Sequence, residues 1–524
     1  MLSMLAELWL FVQELFLFLY DKVVHFVFGV WYSRAAKAPL PQATNRLLNE
    51  PATSLAEKIR TGKEKSVNVV QAYIDRIKEV QPLLNAIVDE RFEAALAEAE
   101  EIDRKVETSS EDSEFLKKPF LGIPFTVKNY VAVKDCLWDT GSWYHKGRKA
   151  TRDAKTVQLL REAGAIPLAI TNVPELSISV DTMNRVYGHT NNPYDTNRMP
   201  GGSSGGEGAL LSSQASLLGV GTDVGGSVRV PAASCGIFSH KPSGEIVSVD
   251  GLPPDVGEGL STFNTIGPMT RYVEDLHPMF KVLAGPEHSA SLRLDSPVNL
   301  KEVKVYHMPD DGAKYVTRVG SQMSGAVYKA VSHLETVCGS KSTQVSFPEL
   351  REATATWVGN FLATGTSTYS KELKAGKGNL NYIWELLLTA IGKSKHNMAS
   401  IMFVRQESRS EKHVQEYVKK AKAFGDGLES LLGANGILVV PINSAPAPYH
   451  NEWLTRWEYF FGFTCLFNIV RVPVSVVPIM KDETDGMPIG VQIVAARNQD
   501  RLCLAAAKEL SKAFGGWKPP VASL

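Results

Sequence analysis

Residues 200–231 form the stretch PGGSSGGEGALLSSQASLLGVGTDVGGSVRVP, which contains two glycine- and serine-rich clusters at 201–206 and 225–227. Glycine is expected where the backbone takes a positive φ or approaches another atom closely. A flexible tether would not continue into LLGVG and then VRVP, so the pattern favours a built pocket over a linker. A phosphate-binding loop would need Lys-Ser/Thr after its last glycine, whereas Glu207 follows here and would repel phosphate.

The composition is typical of a folded globular protein with no nucleic-acid partner. The chain of 524 residues has 56 basic and 56 acidic side chains, and 44% of its residues are apolar. Its cysteines are odd in number, widely separated and without metal-type spacing, so they indicate reduced, packed thiols in a cytosol-facing protein. They are Cys136, Cys235, Cys338, Cys465 and Cys503. No metal and no cofactor is predicted.

Residues 1–32 are dense in Leu, Phe, Val and Trp and predict an apolar helix with one narrow polar stripe. At 100° per residue, the stripe members fall within about 40° of one another. They are Ser3, Glu7, Glu14, Asp21 and His25. A helix over residues 2–30 would be roughly 40 Å long, which is enough to cross a hydrocarbon core.

Three alternatives remain for this helix: a tilted membrane anchor, a helix lying in the membrane interface, or a helix that docks on a second subunit. Membrane attachment is favoured, because a partnered polar stripe escapes most of the insertion penalty. A cleaved signal peptide is disfavoured, since the cationic start and the small-residue cleavage site are missing. The stripe also suggests a homodimer.

The body of the chain is predicted to be an α/β unit with a mixed, largely parallel β-sheet sandwiched by helices. Apolar runs predict strands at 121–131, 165–172, 217–224, 236–243, 436–443, 472–479 and 486–495. Helices are predicted after Ser54, after Ser66, over 90–106 and over 154–163, the first two with a serine cap. The predicted division is a hydrophobic helix at 1–32, a linker at 33–51 and a catalytic domain at 52–524.

Residues 290–435 have a more helical pattern than the rest. Bulky apolar groups occur there at 382–388 and 401–404. Ordinary core packing explains such groups. The functional alternative is a cap or a channel wall for a long apolar ligand.

Ser227 is the candidate nucleophile. It follows two glycines, and the amides of Val224, Gly225, Gly226 and Ser227 could converge on one point as an oxyanion hole.

A base for this serine is harder to identify from the residues alone. His145, His189 and His240 are not in a preorganised setting, and the G-x-S-x-G elbow is absent. Lys128, at the end of an apolar strand, could act as a base if burial lowered its pKa, although such a lysine is more often a solvated charge.

The chain resembles the amidase signature family over residues 52–520. The resemblance rests on the GGSSGG cluster at 201–206, on GTDVGGSVRVP at 221–231 and on Lys128 in TVK. Shorter matches are Thr171-Asn172, Asn192-Pro193, Lys241-Pro242 and GMPIGVQ at 486–492. The resemblance implies an α/β core and hydrolysis of a carboxamide by a Ser–cis-Ser–Lys set.

The resemblance also implies roles for individual residues. Ser227 resembles the nucleophile, Lys128 the base, and Ser203 the middle serine whose preceding peptide bond is cis. Two further features are implied to support them: the ion pair of Asp223 with Arg229, and the hydroxyl of Ser204. Two positions depart from the family pattern, because Asn129 stands where an acidic residue is common and Arg471 where glycine is usual.

Within that family, the chain most resembles members that hydrolyse fatty-acid amides. The signals are GGSSGGEGALL, the hydrophobic N-terminus, AGP at 284–286 and FGGW at 514–517. The resemblance implies a lipid-amide substrate, a primary amide or an N-acylethanolamine, and an intracellular membrane location at the endoplasmic reticulum or lipid droplets. The alternatives are an amidase for small aryl or indole acetamides, an amidotransferase-type amidase, and a non-catalytic membrane scaffold.

Overall fold

The computed structural model describes residues 2–34, 39–110, 112–253, 261–310, 318–365, 369–455 and 462–520. The strands within them are β1 Ile87–Glu90, β2 Pro124–Lys128, β3 Ile166–Thr171, β4 Met183–Asn184, β5 Gly188–His189, β6 Leu218–Asp223, β7 Phe238–Lys241, β8 Thr265–Thr270, β9 Lys304–His307, β10 Thr343–Gln344, β11 Gly436–Pro441, β12 Val474–Lys481 and β13 Pro488–Ala495. The five free cysteines are all buried, as predicted.

Helices alternate with these strands. They are α1 Leu2–Ser33, α2 Ala52–Arg60, α3 Ser66–Leu84, α4 Phe92–Thr108, α5 Lys155–Glu162, α6 Gly205–Ser212, α7 Arg229–Ser234, α8 Val273–Ser291, α9 Ser321–Cys338, α10 Ala353–Ala363, α11 Tyr369–Glu372, α12 Tyr382–Ala390, α13 Met398–Gln406, α14 Glu411–Leu432, α15 Leu466–Ile469 and α16 Asp500–Phe514. Short 3₁₀ turns occur between them, among them Arg46–Asn49 and Glu452–Thr455.

Eleven strands form one mixed sheet in the order β1-β3-β2-β6-β8-β7-β12-β13-β11-β9-β10. Parallel pairing is confined to β3-β2-β6 on one side and β11-β9-β10 on the other. The strands between β6 and β11 pair antiparallel, as does β1 with β3. The predicted mixed sheet with packed helices is therefore confirmed, with more antiparallel pairing at its centre than we expected.

The seven apolar runs singled out in the sequence all contain strands. β2, β3, β6, β11 and β13 are buried along their whole length, which explains why these runs lack the polar alternation of a half-exposed strand. The sequence reading missed β8, whose TIGPMT contains both glycine and proline, and the short strands β1, β9 and β10.

The two predicted serine caps were wrong. α2 begins at Ala52, so Ser54 lies inside the helix, where its hydroxyl bonds to Glu50. Ser66 is the first residue of α3, and its hydroxyl donates to the Gly122 carbonyl. In both helices the first amides are held by buried or partly buried carboxylates from distant segments, for example Asp275 at the start of α2.

The first helix stands on the outside of the body. His25, a member of the polar stripe, lies 3.0 Å from a carboxylate oxygen of Glu452. Further along the same helix, the Tyr32 ring stacks on Tyr449. The side chains of Ser3, Glu7 and Glu14 lie outside the described residues. Within the predicted linker at 33–51, Leu47 and Leu48 are buried in the main core.

The more helical segment at 290–435 contributes both strands and helices to the body of the molecule. Its strands β9 and β10 extend the main sheet beyond β11, and α9 packs against that side of the sheet. Helices α10, α13 and α14 form a second apolar cluster together with strands β11 to β13. The two apolar runs differ, because residues 401–404 are mostly buried whereas α12 has no buried residue.

Candidate active site

Lys128 ends strand β2 and is completely buried. Its Nζ lies 2.6 Å from Ser203 Oγ and 2.7 Å from Thr222 Oγ1. Ser203 belongs to the glycine-rich loop before α6, and the peptide bond between Gly202 and Ser203 is cis, as the resemblance implies. The structure therefore brings the predicted base and the predicted middle serine into direct contact.

Burial lowers the pKa of Lys128 to about 7. The carboxylates of Asp223 and Glu207 act in the opposite direction, but loss of hydration outweighs them. A large fraction of this amine is therefore neutral near physiological pH, and a neutral amine can accept a proton. The alternative of an ordinary solvated lysine is excluded by its complete burial.

The contact of Thr222 with Lys128 was not predicted, although the order of strands and polar residues in the sequence contained a signal for it. β2 and β6 are parallel neighbours with Val127 paired to Val220, so Lys128 and Thr222 lie together near the carboxyl ends of two strands. Polar residues at such ends are usual in α/β sites.

Glu207 is a second residue whose role the sequence did not reveal. It is completely buried on α6, and its two oxygens accept from Thr126 Oγ1 at 2.5 Å and Thr171 Oγ1 at 3.0 Å. Burial raises its pKa to about 8, against the lowering effect of the two hydroxyls and of Lys128. The residue that argued against phosphate binding thus fixes α6, and with it the serine loop, onto β2 and β3.

Asp223 and Arg229 form a fully buried bidentate ion pair, with both N–O distances at 3.0 Å. Burial alone would raise the pKa of Asp223, but the charge and hydrogen bonds of Arg229, the charge of Lys241 and the amide of Asn468 lower it overall. Arg229 also donates to the Gln492 side chain at 2.9 Å. The pair is tied to strand β13 and does not contact Lys128 through a hydrogen bond.

The carboxylate of Asp223 shapes the turn that carries Ser227. It accepts from the amides of Gly226 at 2.7 Å and Val228 at 3.1 Å. Of the four amides predicted to form an oxyanion hole, that of Gly226 therefore already has an acceptor. No described residue accepts a hydrogen bond from the amides of Val224, Gly225 or Ser227.

Ser227 is 9% exposed and opens onto the pocket described below. Its carbonyl accepts from the Ser204 amide at 3.1 Å, which links the two serine-containing loops. The Ser204 hydroxyl donates to the Thr222 carbonyl at 3.4 Å. A side chain at Gly226, whose φ is +132°, would come within 2.5 Å of Thr464, so this position requires glycine.

The three histidines weighed as partners for Ser227 contact other residues. His240 bonds to Ser475 and Asp500. His145 contacts Glu372, and the His189 ring meets that of His450.

Ser227 lines an apolar cavity. Its lining combines the two serine loops with the segment after β3 and with helices α10 and α13. The large apolar side chains in the lining are Ile178, Val180, Trp357, Val358, Phe403 and Trp453. Trp357 donates to the Val224 carbonyl at 2.8 Å, so the cavity wall and the Ser227 turn are directly connected.

Both departures from the family pattern are accommodated. The buried Asn129 donates to Asp139 at 2.8 Å and accepts from the Asp139 and Thr140 amides, so its amide is used for the following turn. Arg471 has φ +61°, a conformation that favours glycine. Its side chain crosses the surface to Glu245 at 3.0 Å.

A family model described as Amidase matches residues 68–504. The chain is 40% identical to fatty-acid amide hydrolase 2-A of Danio rerio over 491 residues, which is 92% of each chain. It is 38% identical to fatty-acid amide hydrolase 2 of Homo sapiens over 498 residues, 93% of each. Among solved structures, one titled fatty acid amide hydrolase superposes with a TM-score of 0.73 at 22% identity, covering 95% of this chain and 91% of that one.

Proposed function

The chain belongs to the amidase signature family, and on this premise we propose that it hydrolyses fatty-acid amides to a fatty acid and an amine. The observation that carries the proposal is the contact of 2.6 Å between buried Lys128 and Ser203, beside a cavity with an apolar wall that begins at Ser227. The contact supplies a base, and the cavity suits an acyl chain. The names of the relatives, fatty-acid amide hydrolase 2-A and fatty-acid amide hydrolase 2, agree with hydrolysis of an amide that carries an acyl chain.

The proposed reaction starts when Ser227 Oγ attacks the amide carbonyl carbon. Ser227 passes its proton to Ser203, and Ser203 passes its own to neutral Lys128. As the new C–O bond forms, the carbonyl π electrons move to oxygen, where the amides of Val224, Gly225 and Ser227 stabilise the charge. When the C–N bond breaks, the lysine proton returns through Ser203 to the leaving nitrogen.

The second half of the reaction regenerates the enzyme. Water attacks the acyl ester on Ser227 and gives its proton to the Ser203–Lys128 relay. The C–O bond to Ser227 then breaks, and the proton is returned to Ser227 Oγ. The Asp223–Arg229 pair and Ser204 hold the two loops in place without taking the proton.

We further propose that the enzyme works at a membrane. Residues Leu15–Ser33 are long and apolar enough to cross one, and Phe26 and Trp31 are 70% and 75% exposed. On α12, Ile383, Trp384 and Leu387 are likewise exposed. A lipid amide partitions into the bilayer, so a docked enzyme can receive it without passage through water.

A location at the endoplasmic reticulum or lipid droplets with a cytosol-facing catalytic domain remains part of the proposal. The reduced state of the five buried cysteines suits that side. The homodimer has less support than the sequence suggested, because His25 of the stripe pairs with Glu452 of the same chain.

The test is turnover by the full chain in detergent with oleamide, N-oleoylethanolamine and indole-3-acetamide, together with labelling by a fluorophosphonate. We expect hydrolysis of the two long-chain amides and labelling that Ser227→Ala abolishes. Ser239→Ala is the matched control, since that buried hydroxyl has no hydrogen-bond partner among the described residues. Turnover of indole-3-acetamide alone would refute the lipid substrate, and absence of both turnover and labelling would refute the enzyme.

A further inference from the structure

Three potential metal ligands meet behind the cavity wall, outside the catalytic contacts. Asp181, His189 and His450 each place one ligand atom within 4.8 Å of the others. Asp181 follows the cavity-lining residues Ser179 and Val180, His189 ends β5, and His450 precedes the turn Glu452–Thr455. No metal site was predicted from the sequence, because His450 is distant in the chain from Asp181 and His189.

The cluster has unsatisfied hydrogen-bonding capacity. Asp181 and His450 are 2% and 6% exposed. Within the described part of the chain, Asp181 Oδ1 and His189 Nδ1 are buried and have no hydrogen-bond partner. A buried carboxylate oxygen without a partner is costly, so a water or an ion is expected to satisfy it. The remaining contact, His450 Nδ1 to Asp181 Oδ2, measures 3.4 Å, well beyond the length of a charge-assisted hydrogen bond.

Asn191 fixes which nitrogen of His450 faces the cluster. Its amide nitrogen donates to the Leu83 carbonyl at 2.7 Å, so its oxygen must accept from His450 Nε2 at 3.1 Å. In the neutral imidazole, Nε2 then carries the hydrogen, and Nδ1 has a lone pair that faces the Asp181 carboxylate. Two acceptors that face each other are satisfied by a cation between them. An outer acceptor on the second ring nitrogen is the usual support of a metal-bound histidine.

We propose that Asp181, His189 and His450 bind one divalent transition-metal cation of the Zn²⁺ class. Two imidazoles and one carboxylate are a donor set that Zn²⁺ takes, with a water completing four-coordination. Mg²⁺ and Ca²⁺ prefer all-oxygen sets and are disfavoured here. The site is separate from the proton relay and takes no part in the amide chemistry.

The bound ion would join three parts of the molecule. The carbonyl of His450 accepts from Tyr32 of α1 at 3.2 Å, so the ion sits next to the attachment of that helix. On the other side, Gly202, the residue before Ser203, packs tightly on the segment 179–181, because a Cβ there would lie 2.5 Å from the Ser179 carbonyl oxygen. Occupancy would therefore stiffen the cavity wall and the contact with α1 together.

The experiment is a Zn²⁺ titration of the metal-stripped, full-length protein in detergent, in competition with a chromophoric chelator. We expect one Zn²⁺ per chain and a rise in melting temperature that Mg²⁺ does not reproduce. His189→Gln, at a half-buried position, should weaken binding at least tenfold, and Asn191→Ala about 10- to 100-fold. His413→Gln, an exposed histidine on α14, is the matched control and should bind as the wild type does.

A second measurement needs only the wild-type protein and so does not depend on a variant that folds. X-ray absorption at the zinc edge should find two imidazole nitrogens at about 2.0–2.1 Å and oxygen ligands, without sulfur. The proposal is overturned if the wild type binds no stoichiometric Zn²⁺, if His189→Gln binds as tightly as His413→Gln, or if the bound ion has thiolate ligands. Amide turnover is not the readout, so failure of the proposed function would leave this test intact.

Discussion

Lys128 Nζ and Ser203 Oγ are 2.6 Å apart although the residues are 75 positions apart in the chain. The first ends a buried strand, and the second lies in the glycine-rich loop before α6. Because the lysine is fully buried, the same contact that orients Ser203 also places it next to an amine with a pKa of about 7. One contact thus combines position with basicity.

The rate should depend on pH through Lys128. Its neutral form is the base, so protonation below its pKa of about 7 removes activity, and kcat/KM for a fatty-acid amide should rise with pH and level off above that value. Lys128→Ala should lower the rate about 10²- to 10⁴-fold and remove the inflection. Rate measurements from pH 5.5 to 9 test this. A flat wild-type profile across pH 7 would contradict the assignment.

Thr222 should act as a positioning residue for the lysine. Thr222→Val removes the hydroxyl 2.7 Å from Lys128 Nζ while keeping the side chain's shape. Loss of one hydrogen bond of about 1 kcal/mol lowers kcat roughly fivefold, with little change in KM and a shifted inflection in the pH profile.

The control for Thr222→Val is Thr156→Val, another buried threonine, whose hydroxyl has no partner among the described residues. It should leave both kcat and the pH profile unchanged. Equal effects of the two substitutions would mean that Thr222 serves only the fold.

The sequence predicted the parts of the fold that are continuous in the chain. The apolar runs around β2, β3 and β6 are long, β-branched and bounded by glycine or proline, so they were recognised as strands. β8 was missed because its burial comes from neighbours on both sides, which a local pattern with Gly267 and Pro268 does not reveal. The antiparallel pairing at the centre of the sheet was not predicted for the same reason, since the direction of pairing depends on connections between distant segments.

The site residues that belong to sequence motifs were predicted. The resemblance named Lys128, Ser203 and Ser227, and the structure places the first two in contact. Thr222 and the anchoring role of Glu207 were not predicted, because each depends on which side chains neighbouring strands place face to face. The same limit explains why the engagement of Gly226 by Asp223 was not foreseen.

The Asp223–Arg229 pair should be essential for folding. Arg229→Met leaves the carboxylate of Asp223 buried without its partner, which costs about 3–5 kcal/mol of unfolding free energy. Denaturant titration measures the loss. Arg152→Met breaks a bidentate pair of similar geometry with Asp250 that is solvent-exposed, and it should change the stability little. Similar losses in the two variants would show that burial does not set the strength of the pair.

The cavity should determine acyl-chain length. Ala399→Phe adds an aromatic ring to its wall on α13, where Ala399 lines the cavity together with Phe403 and Trp357. Filled space excludes a long chain but leaves room for a short one, so kcat/KM for oleamide should fall at least tenfold while that for a two-carbon amide stays within about twofold. Kinetics on both substrates with one enzyme preparation provide the comparison. An equal loss on both would indicate general damage to the Ser227 turn.

The exposed apolar surface of α12 should contribute to membrane binding. Glutamate in place of Trp384 and Leu387, which are 59% and 56% exposed, adds charge and removes large apolar groups, each worth about 1.5–3 kcal/mol when buried. The comparison is made in a chain that lacks residues 1–34, so that α12 acts alone. In this background, the two glutamate substitutions should lower binding to phosphatidylcholine vesicles at least tenfold in a flotation assay. Tyr328→Glu, an exposed aromatic on α9, is the matched control.

The same flotation assay separates the two surfaces. If α1 is the main anchor, the full-length chain with the α12 substitutions should still float and resist extraction at alkaline pH, because about 20 apolar residues suffice to cross the hydrocarbon core. If both helices lie in the interface, either change alone should weaken binding, and alkaline extraction should release the wild type. Complete solubility of the full-length wild type without vesicles or detergent would contradict both arrangements. In that case the exposed side chains of α1 would have to be covered by another protein surface.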